Sequence, residues 1–343
     1  MSSWKVDSLL ITTPENIRYL SGFTGTSGVI VITSYEAFFL TDSRYAAQSE
    51  YEISGLRVKI YKKQAEDVAS LINRLKHGRI GFEANGLTYE MYRRLKGLLQ
   101  GKRLVPLSDD INRIRARKSA GELKLIRRAV GLAAVGFNAA MNCITAGIRE
   151  CDAALNIEME MRKNGAEGLS FDIIVASGIR GALPHGKASL KRIKKTETVI
   201  VDLGARYQGY HSDETCTFMV GKPGREQKKV YQIVKDAHDK AIEAVRPGVK
   251  ASYVDSVARC FIKDAGYGKY FGHGTGHGVG LAVHEWPNIS PYNDDVLEEA
   301  MVFTIEPGVY IHGWGGVRIE DMVIVKNDGC EILTEMPKEM VIL

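Results

Sequence analysis

A chain of 343 residues is long enough for one very large domain or two ordinary ones. Its 46 Lys and Arg against 41 Asp and Glu leave a formal charge of +5, too mild to point to a nucleic-acid or membrane partner. No run approaches the roughly 18 apolar residues of a membrane span, and the opening MSSWKVDSLLITT lacks a signal-peptide core, so a cytoplasmic location is expected. The cysteines, Cys143, Cys151, Cys216, Cys260 and Cys330, are odd in number and free of CxxC spacing, and read as free thiols.

In the first third, residues 7–12, 28–33, 36–41 and 57–61 are β-rich runs stopped by turn residues. Thr13-Pro14 marks a short helix start, with Thr13 as cap and proline in the first turn. Residues 64–76 and 88–100 carry apolar side chains at helical spacing, Val68, Leu71, Ile72 and Leu75 in one and Met91, Leu95, Leu98 and Leu99 in the other. Arg79–Phe82 between them reads as a strand. This alternation predicts a small α/β domain over residues 1–113. Asp42 and Arg44 in TDSRY suggest a structural or subunit-contact pair rather than chemistry.

A capping box, Ser119 with Glu122, opens a long helix that runs to about Cys143. A Gly147-Ile148-Arg149 turn follows, then a second helix that stops at Gly165. About a hundred residues later the order recurs: a helix to Pro247, Gly248-Val249-Lys250, and a helix that stops at Gly266. Residues 114–343 therefore read as two ααββ units, a pseudo-twofold pair around one curved, mainly antiparallel sheet. A site between such halves draws ligands from both.

The buried-type strand Thr198–Val201 runs straight into Asp202, and a charge there is costly unless paired or metal-bound. The chain turns and returns over residues 209–220 with Asp213 on the way. A turn centred on Tyr207 and Gln208 sets Asp202 opposite Asp213, with Cβ atoms about 4.5–5.5 Å apart. The second unit repeats the device: Met301–Ile305 leads into Glu306, Val317–Val325 contains Glu320, and a turn near Gly313 sets the two glutamates opposite each other. Between the hairpins lies HGTGHGVGLAVHE, residues 273–285, with His273, His277 and His284. His273 reads as a hydrogen-bonded loop residue. Four crowded carboxylates repel one another, and two divalent cations resolve the conflict. Oxygen ligands with a single imidazole favour manganese, with cobalt or zinc as the other options.

The segments DLGARYQGYHSDET, HGTGHGVGLAVHE, TIEPG and VRIED together resemble the proline-specific pita-bread metallopeptidases, Xaa-Pro aminopeptidase and prolidase. NIRYLSGFTGTSG and TDSRY resemble the creatinase-like N-terminal domain of that branch, so the resemblance covers nearly the whole chain. It implies an α+β pita-bread catalytic domain after a smaller α/β domain, and a homodimer. It implies Asp202, Asp213, His277, Glu306 and Glu320 as ligands of two metal ions, with Asp213 and Glu320 bridging. His185 in Pro184-His185-Gly186 and His284 match histidines that contact substrate, and Arg318 matches an arginine beside the last ligand.

The implied chemistry is attack by a metal-bridging hydroxide on the carbonyl before proline, with Glu306 carrying the proton to the leaving nitrogen. The implied partners are peptides with proline second. Two departures matter. Cys216 stands where many members have arginine, and Asn288 stands where a prolidase arginine would clamp a dipeptide's carboxylate. The second favours an Xaa-Pro aminopeptidase acting on longer peptides, with prolidase as the alternative. A non-catalytic peptide-binding member of the fold is the remaining option, and it would lack several of the five ligands.

Overall fold

Runs rich in Val, Ile, Leu and Phe, each stopped by a turn residue, become the strands of the first unit, Met1–Ile114. In the computed structural model, which describes residues 4–76, 78–108 and 110–343, these are β1 (Ser8–Ile11), β2 (Val29–Thr33), β3 (Ala37–Thr41), β4 (Arg57–Ile60), β5 (Arg79–Glu83) and β6 (Arg103–Leu107). They form one sheet in the order β4-β3-β2-β1-β5-β6. Between them lie α1 (Pro14–Ser21), α2 (Ala46–Glu52), α3 (Gln64–Arg74) and α4 (Tyr89–Leu98). Val68, Leu71 and Ile72 of α3 and Leu95 of α4 are buried in a core shared with the sheet.

The sequence pattern misses α2 and β6. The β6 run, RLVPL, is an edge strand with exposed Arg103 and Pro106 and no clean alternation. The cap of α1 also differs from expectation. Thr13 makes no side-chain cap; the Glu83 carboxylate instead accepts the N–H groups of Thr12 and Thr13 at 2.6 and 2.9 Å. Arg44 pairs with Asp42 at 2.9 Å on an exposed surface.

The second unit, Arg115–Leu343, is reached through α5 (Asp110–Ala116) and holds the repeat. Its first half opens with α6 (Ala120–Cys143), where Ser119 and Glu122 form the capping box, and continues with α7 (Glu150–Lys163). Strands β7 (Gly168–Leu169), β8 (Ile174–Ser177), β9 (Thr198–Leu203), β10 (Ala205–Tyr207), β11 (Tyr210–His211) and β12 (Glu214–Met219) follow. The second half opens with α8 (Arg225–Ala244) and α9 (Ala251–Asp264), then β13 (Gly276–Gly278), β14 (Glu285–Ile289), β15 (Val302–Ile305), β16 (Gly308–Ile311), β17 (Gly315–Arg318), β18 (Asp321–Lys326) and β19 (Gly329–Ile332).

The halves match in detail. Gly147 and Gly248 both take positive φ, +103° and +85°, and so do Gly165 and Gly266, at +104° and +91°. These are backbone conformations that side chains rarely adopt. After each helix pair, equivalent hydrogen bonds close the stop, Ala166 N–H to Met161 O and Tyr267 N–H to Ile262 O. Each half has its own apolar core, one around Phe137, Ile157 and Phe218, the other around Val234, Val254 and Phe303. The antiparallel ladder is broken into short sheets, and the breaks fall at Ser212–Asp213, Glu306–Pro307 and Ile319–Glu320. Asp213, Glu306 and Glu320 thus sit where the backbone leaves the ladder, whereas Asp202 lies within β9.

Candidate metal centre and active site

The first hairpin turns one residue later than expected. Gln208 and Gly209 occupy the turn at φ +45° and +78°, the pair of positive φ values that a tight two-residue hairpin of matching twist requires. Tyr207 therefore pairs with Tyr210, and Asp202 faces Thr215 rather than Asp213. The partner moves by two residues, so the facing side is unchanged and Asp213 becomes the diagonal neighbour of Asp202. The second hairpin keeps the expected register. Ile305 pairs with Asp321 and Gly308 with Arg318, which sets Glu306 opposite Glu320.

These residues line one cavity of about 550 Å³, within the usual range for small-molecule sites. Asp202, Asp213, His277, Glu306 and Glu320 all face it, and so do His185, His284 and Arg318. Ligand atoms of Asp213, His277 and Glu320 lie within 4.8 Å of one another. His277 Nε2 stands 3.5 Å from Asp213 Oδ2 and 3.5 Å from Glu306 Oε1. Its Nδ1 faces the Gly278 carbonyl at 3.2 Å, which leaves Nε2 as the free lone pair aimed at the acids.

Side chains cross between the halves to hold this cluster. Thr215 Oγ1 donates to Glu320 Oε2 at 2.7 Å, and the Glu320 N–H donates to Thr215 O at 3.1 Å. Arg318, 3 % exposed, donates to Asp202 Oδ2, to Thr215 Oγ1 at 3.0 Å, to Pro184 O at 3.0 Å and to Tyr310 Oη at 2.9 Å. His273 is hydrogen-bonded to Gly274 O at 2.7 Å and to Tyr310 Oη at 3.0 Å, as its loop position suggests. The rings of His277 and His284 meet edge to face at 4.2 Å.

The electrostatics are those of a site made for cations. Burial, then Glu320, Asp202 and Glu306, push the Asp213 carboxyl well above its usual range. Burial, then Glu306 and Asp202, do the same to Glu320. Burial also raises Glu306, against the pull of His273 and Arg318. Burial lowers His277, and burial followed by His277 and His185 lowers His284 to about 4. Burial alone would lower Arg318, and Tyr310, Asp202, Glu306 and Glu320 more than reverse it. Asp202 Oδ1 is buried without a hydrogen-bond partner among the described residues. A buried, partnerless carboxylate oxygen beside three acids and one imidazole is a donor set that fits hard divalent cations.

A model of metallopeptidase family M24 matches residues 124–327, well over half of the chain. The chain belongs to metallopeptidase family M24. A model of the creatinase/prolidase N-terminal domain matches residues 1–117. Among relatives of this M24 peptidase, the "Xaa-Pro dipeptidase" of Pyrococcus horikoshii is 41 % identical, with 99 % of this chain and 96 % of that protein covered. Among solved structures, "Xaa-Pro dipeptidase from Bacillus anthracis" superposes with a TM-score of 0.96 at 40 % identity, covering 100 % and 96 % of the two chains. An "X-Pro aminopeptidase from Thermotoga maritima MSB8" superposes with a TM-score of 0.90 at 38 % identity, covering 98 % of each. The α+β pita-bread fold after a creatinase-like domain is therefore the fold of this M24 peptidase.

Two residues of the peptidase's site escape the sequence. Thr215 and Tyr310 hold Glu320, Arg318 and His273 in place, and neither stands out as a residue type. Thr215 lies two residues after Asp213, so strand alternation would have put it on the same face. Cys216, on the opposite face, is buried, its thiol pushed up to about 12 by that burial, with Lys338 Nζ 3.9 Å from its sulfur. Trp314 packs against the apolar core of the second half.

Proposed function

We propose that this M24 peptidase is an Xaa-Pro dipeptidase that holds two divalent cations, manganese first, on Asp202, Asp213, His277, Glu306 and Glu320. The observation that carries the metal site is the convergence of Asp213, His277 and Glu320 within 4.8 Å on the wall of a cavity that also presents Asp202 and Glu306. Such cations supply Lewis acidity toward a carbonyl oxygen and bring a bound water's pKa to about 7.

The chain's own groups do the rest. Glu306, its affinity for protons raised by burial, takes the proton from the attacking water and delivers it to the proline nitrogen. That delivery matters because an amide anion is a very poor leaving group. His284, neutral above about pH 4, donates an N–H to the oxygen on which charge develops, and His185 lines the same cavity as a second donor. Arg318 fixes Asp202 and spends four of its five N–H groups on Asp202, Thr215, Pro184 and Tyr310, so its main role is to hold the site's acids rather than substrate. Phe171, Ile174 and Pro184 give the cavity an apolar wall suited to a pyrrolidine ring.

The dipeptide preference rests on the names of the relatives, two of which, at 40 % identity or more, are called Xaa-Pro dipeptidase. One observation favours the aminopeptidase expected from sequence: Asn288 does line the cavity, and no arginine other than Arg318 is among the described residues that line it. The test is hydrolysis of an Xaa-Pro dipeptide and an Xaa-Pro-Yaa tripeptide by chelator-stripped protein reloaded with manganese or cobalt. Faster dipeptide cleavage supports the proposal. Faster tripeptide cleavage makes the protein an aminopeptidase, and no metal-dependent cleavage of either removes the proline-peptidase reading.

A further inference from the structure

Asp213 and Glu320 line the cavity from the positions just before β12 and β18, while Glu214 and Asp321, the first residue of each strand, are not part of its wall. The two hidden carboxylates converge on one ammonium. Lys338, in the segment after β19, donates to Glu214 Oε1 and lies 3.1 Å from Asp321 Oδ1. All three side chains are buried, at 8 %, 0 % and 4 % exposure in that order.

The rest of the segment is fastened to the same strands. The Met336 N–H donates to Glu214 Oε1 at 3.2 Å, and Thr334 Oγ1 donates to Asp321 Oδ1. Tyr231 of α8 donates to Lys338 O at 3.1 Å. The Leu343 N–H donates to Met219 O at 2.7 Å, and the Met219 N–H donates to Val341 O at 3.0 Å. His238 Nε2 stands 3.2 Å from the other oxygen of Asp321, while Glu214 Oε2 has no partner among the described residues.

Stability alone explains this poorly. Buried ion pairs are often replaced by apolar side chains without loss, because desolvation offsets their attraction. What distinguishes this one is where it sits. It ties β12 of the first half to β18 of the second, one residue behind a cavity carboxylate on each. On the cavity side Thr215 links the same two strands. Between these two links stand acids that repel one another whenever both are ionised.

We propose that Lys338 is a positioning residue: by drawing Glu214 and Asp321 together from behind, it sets the separation of Asp213 and Glu320 and so the affinity of the cavity for divalent cations. This rests on the metal-site assignment of the cavity face. Lys338 touches neither cation nor substrate.

The experiment uses the full-length enzyme loaded with cobalt. Affinity is read by competition with a chelator, and ligand geometry by the visible absorption of the cobalt ions. Lys338→Met is expected to bind cobalt roughly 10–100-fold more weakly, the usual effect of removing an outer-shell partner, with an altered absorption band. The KM for an Xaa-Pro dipeptide at saturating cobalt should be unchanged. Lys338→Arg, which keeps the charge, should recover most of the affinity. Unchanged affinity and absorption in Lys338→Met, whatever its melting temperature, would overturn the proposal and leave a stabilising ion pair. If Lys338→Met does not fold, Glu214→Leu decides. It removes the acceptor on β12 while Asp321 still pairs with Lys338, and wild-type cobalt affinity in that variant refutes the role of the link. Failure of the wild-type enzyme to bind cobalt would instead overturn the metal assignment itself.

Discussion

Asn288→Arg is the substitution that asks most directly what length of peptide the cavity accepts. In the ladder between β13 and β14, Asn288 is the direct partner of His277, so its side chain projects beside the metal-site imidazole on the cavity wall. Only a dipeptide presents a free carboxylate directly after proline. A longer peptide has an amide there, and so does an Xaa-Pro amide. Four of the five Arg318 N–H groups are committed to Thr215, Pro184, Tyr310 and Asp202, so Arg318 has no pair of N–H groups left for a two-bond grip on that carboxylate. A charge-assisted hydrogen bond contributes about 1.5–3 kcal/mol. Asn288 is exposed, so the low end applies, and about 1.5 kcal/mol is close to tenfold. The KM for an Xaa-Pro dipeptide should fall about tenfold with kcat nearly constant, the mark of binding shared by ground and transition states. The KM for the matching amide should not move. Steady-state kinetics of both substrates at saturating manganese is the assay. An equal change for dipeptide and amide, or none for either, would show that position 288 does not face the carboxylate.

Asp213→Ala removes a buried carboxylate that the proposal assigns to the cations, and metal-dependent hydrolysis should fall below detection; hydrolysis at the wild-type rate would exclude Asp213 from the site. The same variant, stripped of metal, should melt above the stripped wild type, because a repelling buried charge is gone. The raised carboxyls of Asp213, Glu306 and Glu320 also set a pH dependence. A carboxyl whose folded pKa lies above its unfolded value, about 4, contributes fully below that pH and loses its contribution as pH rises through the folded value. The melting temperature of stripped enzyme should therefore fall relative to manganese-loaded enzyme from pH 4 upward, and a constant gap between the two melting curves would contradict the shifts. Gly276→Ala places a methyl carbon 1.8 Å from the Thr304 carbonyl oxygen. A backbone atom cannot swing aside, so denaturant unfolding should report a loss of about 3 kcal/mol or more, and near-wild-type stability would mean that β13 and β15 can separate freely.

The acids that line the cavity were legible in the sequence because charge in an apolar strand is expensive and therefore conspicuous, as at Asp202 after Val199, Ile200 and Val201. Their mutual register was legible only where the turn left no choice. Gly313, at φ +77° in a glycine-rich segment, pins the second hairpin, and Glu306 meets Glu320 as expected. The first hairpin turns through Tyr207-Gln208-Gly209, and nothing about glutamine announces that it takes a φ of +45°. One residue at the turn was enough to move the partner of Asp202 to Thr215. Tyr310 and Lys338 were invisible for a related reason. Their roles come from which strands lie side by side, and a single tyrosine or lysine carries no pattern that tells a buried partner from a surface one.

The duplication explains the cavity only in part. In each half a buried acid on the second helix anchors the backbone that follows. Glu150 takes the Ser177 N–H and hydroxyl at 2.8 and 2.7 Å, and Asp255 takes those of Thr275 at 3.1 and 2.9 Å. The halves part company at the site. The first gives Asp202 and Asp213, the second Glu306, Glu320 and the imidazole of His277. Nor does either half hold all of its own acids. Asp202 of the first is gripped by Arg318 of the second, and Glu320 of the second by Thr215 of the first. Lys338 repeats that crossing from behind. Carboxylates that repel one another are kept in place by side chains reaching across the pseudo-twofold, so the cluster is a property of the paired halves. A single half would present its two acids without the partner that orients them, and the first half would also lack the imidazole of His277.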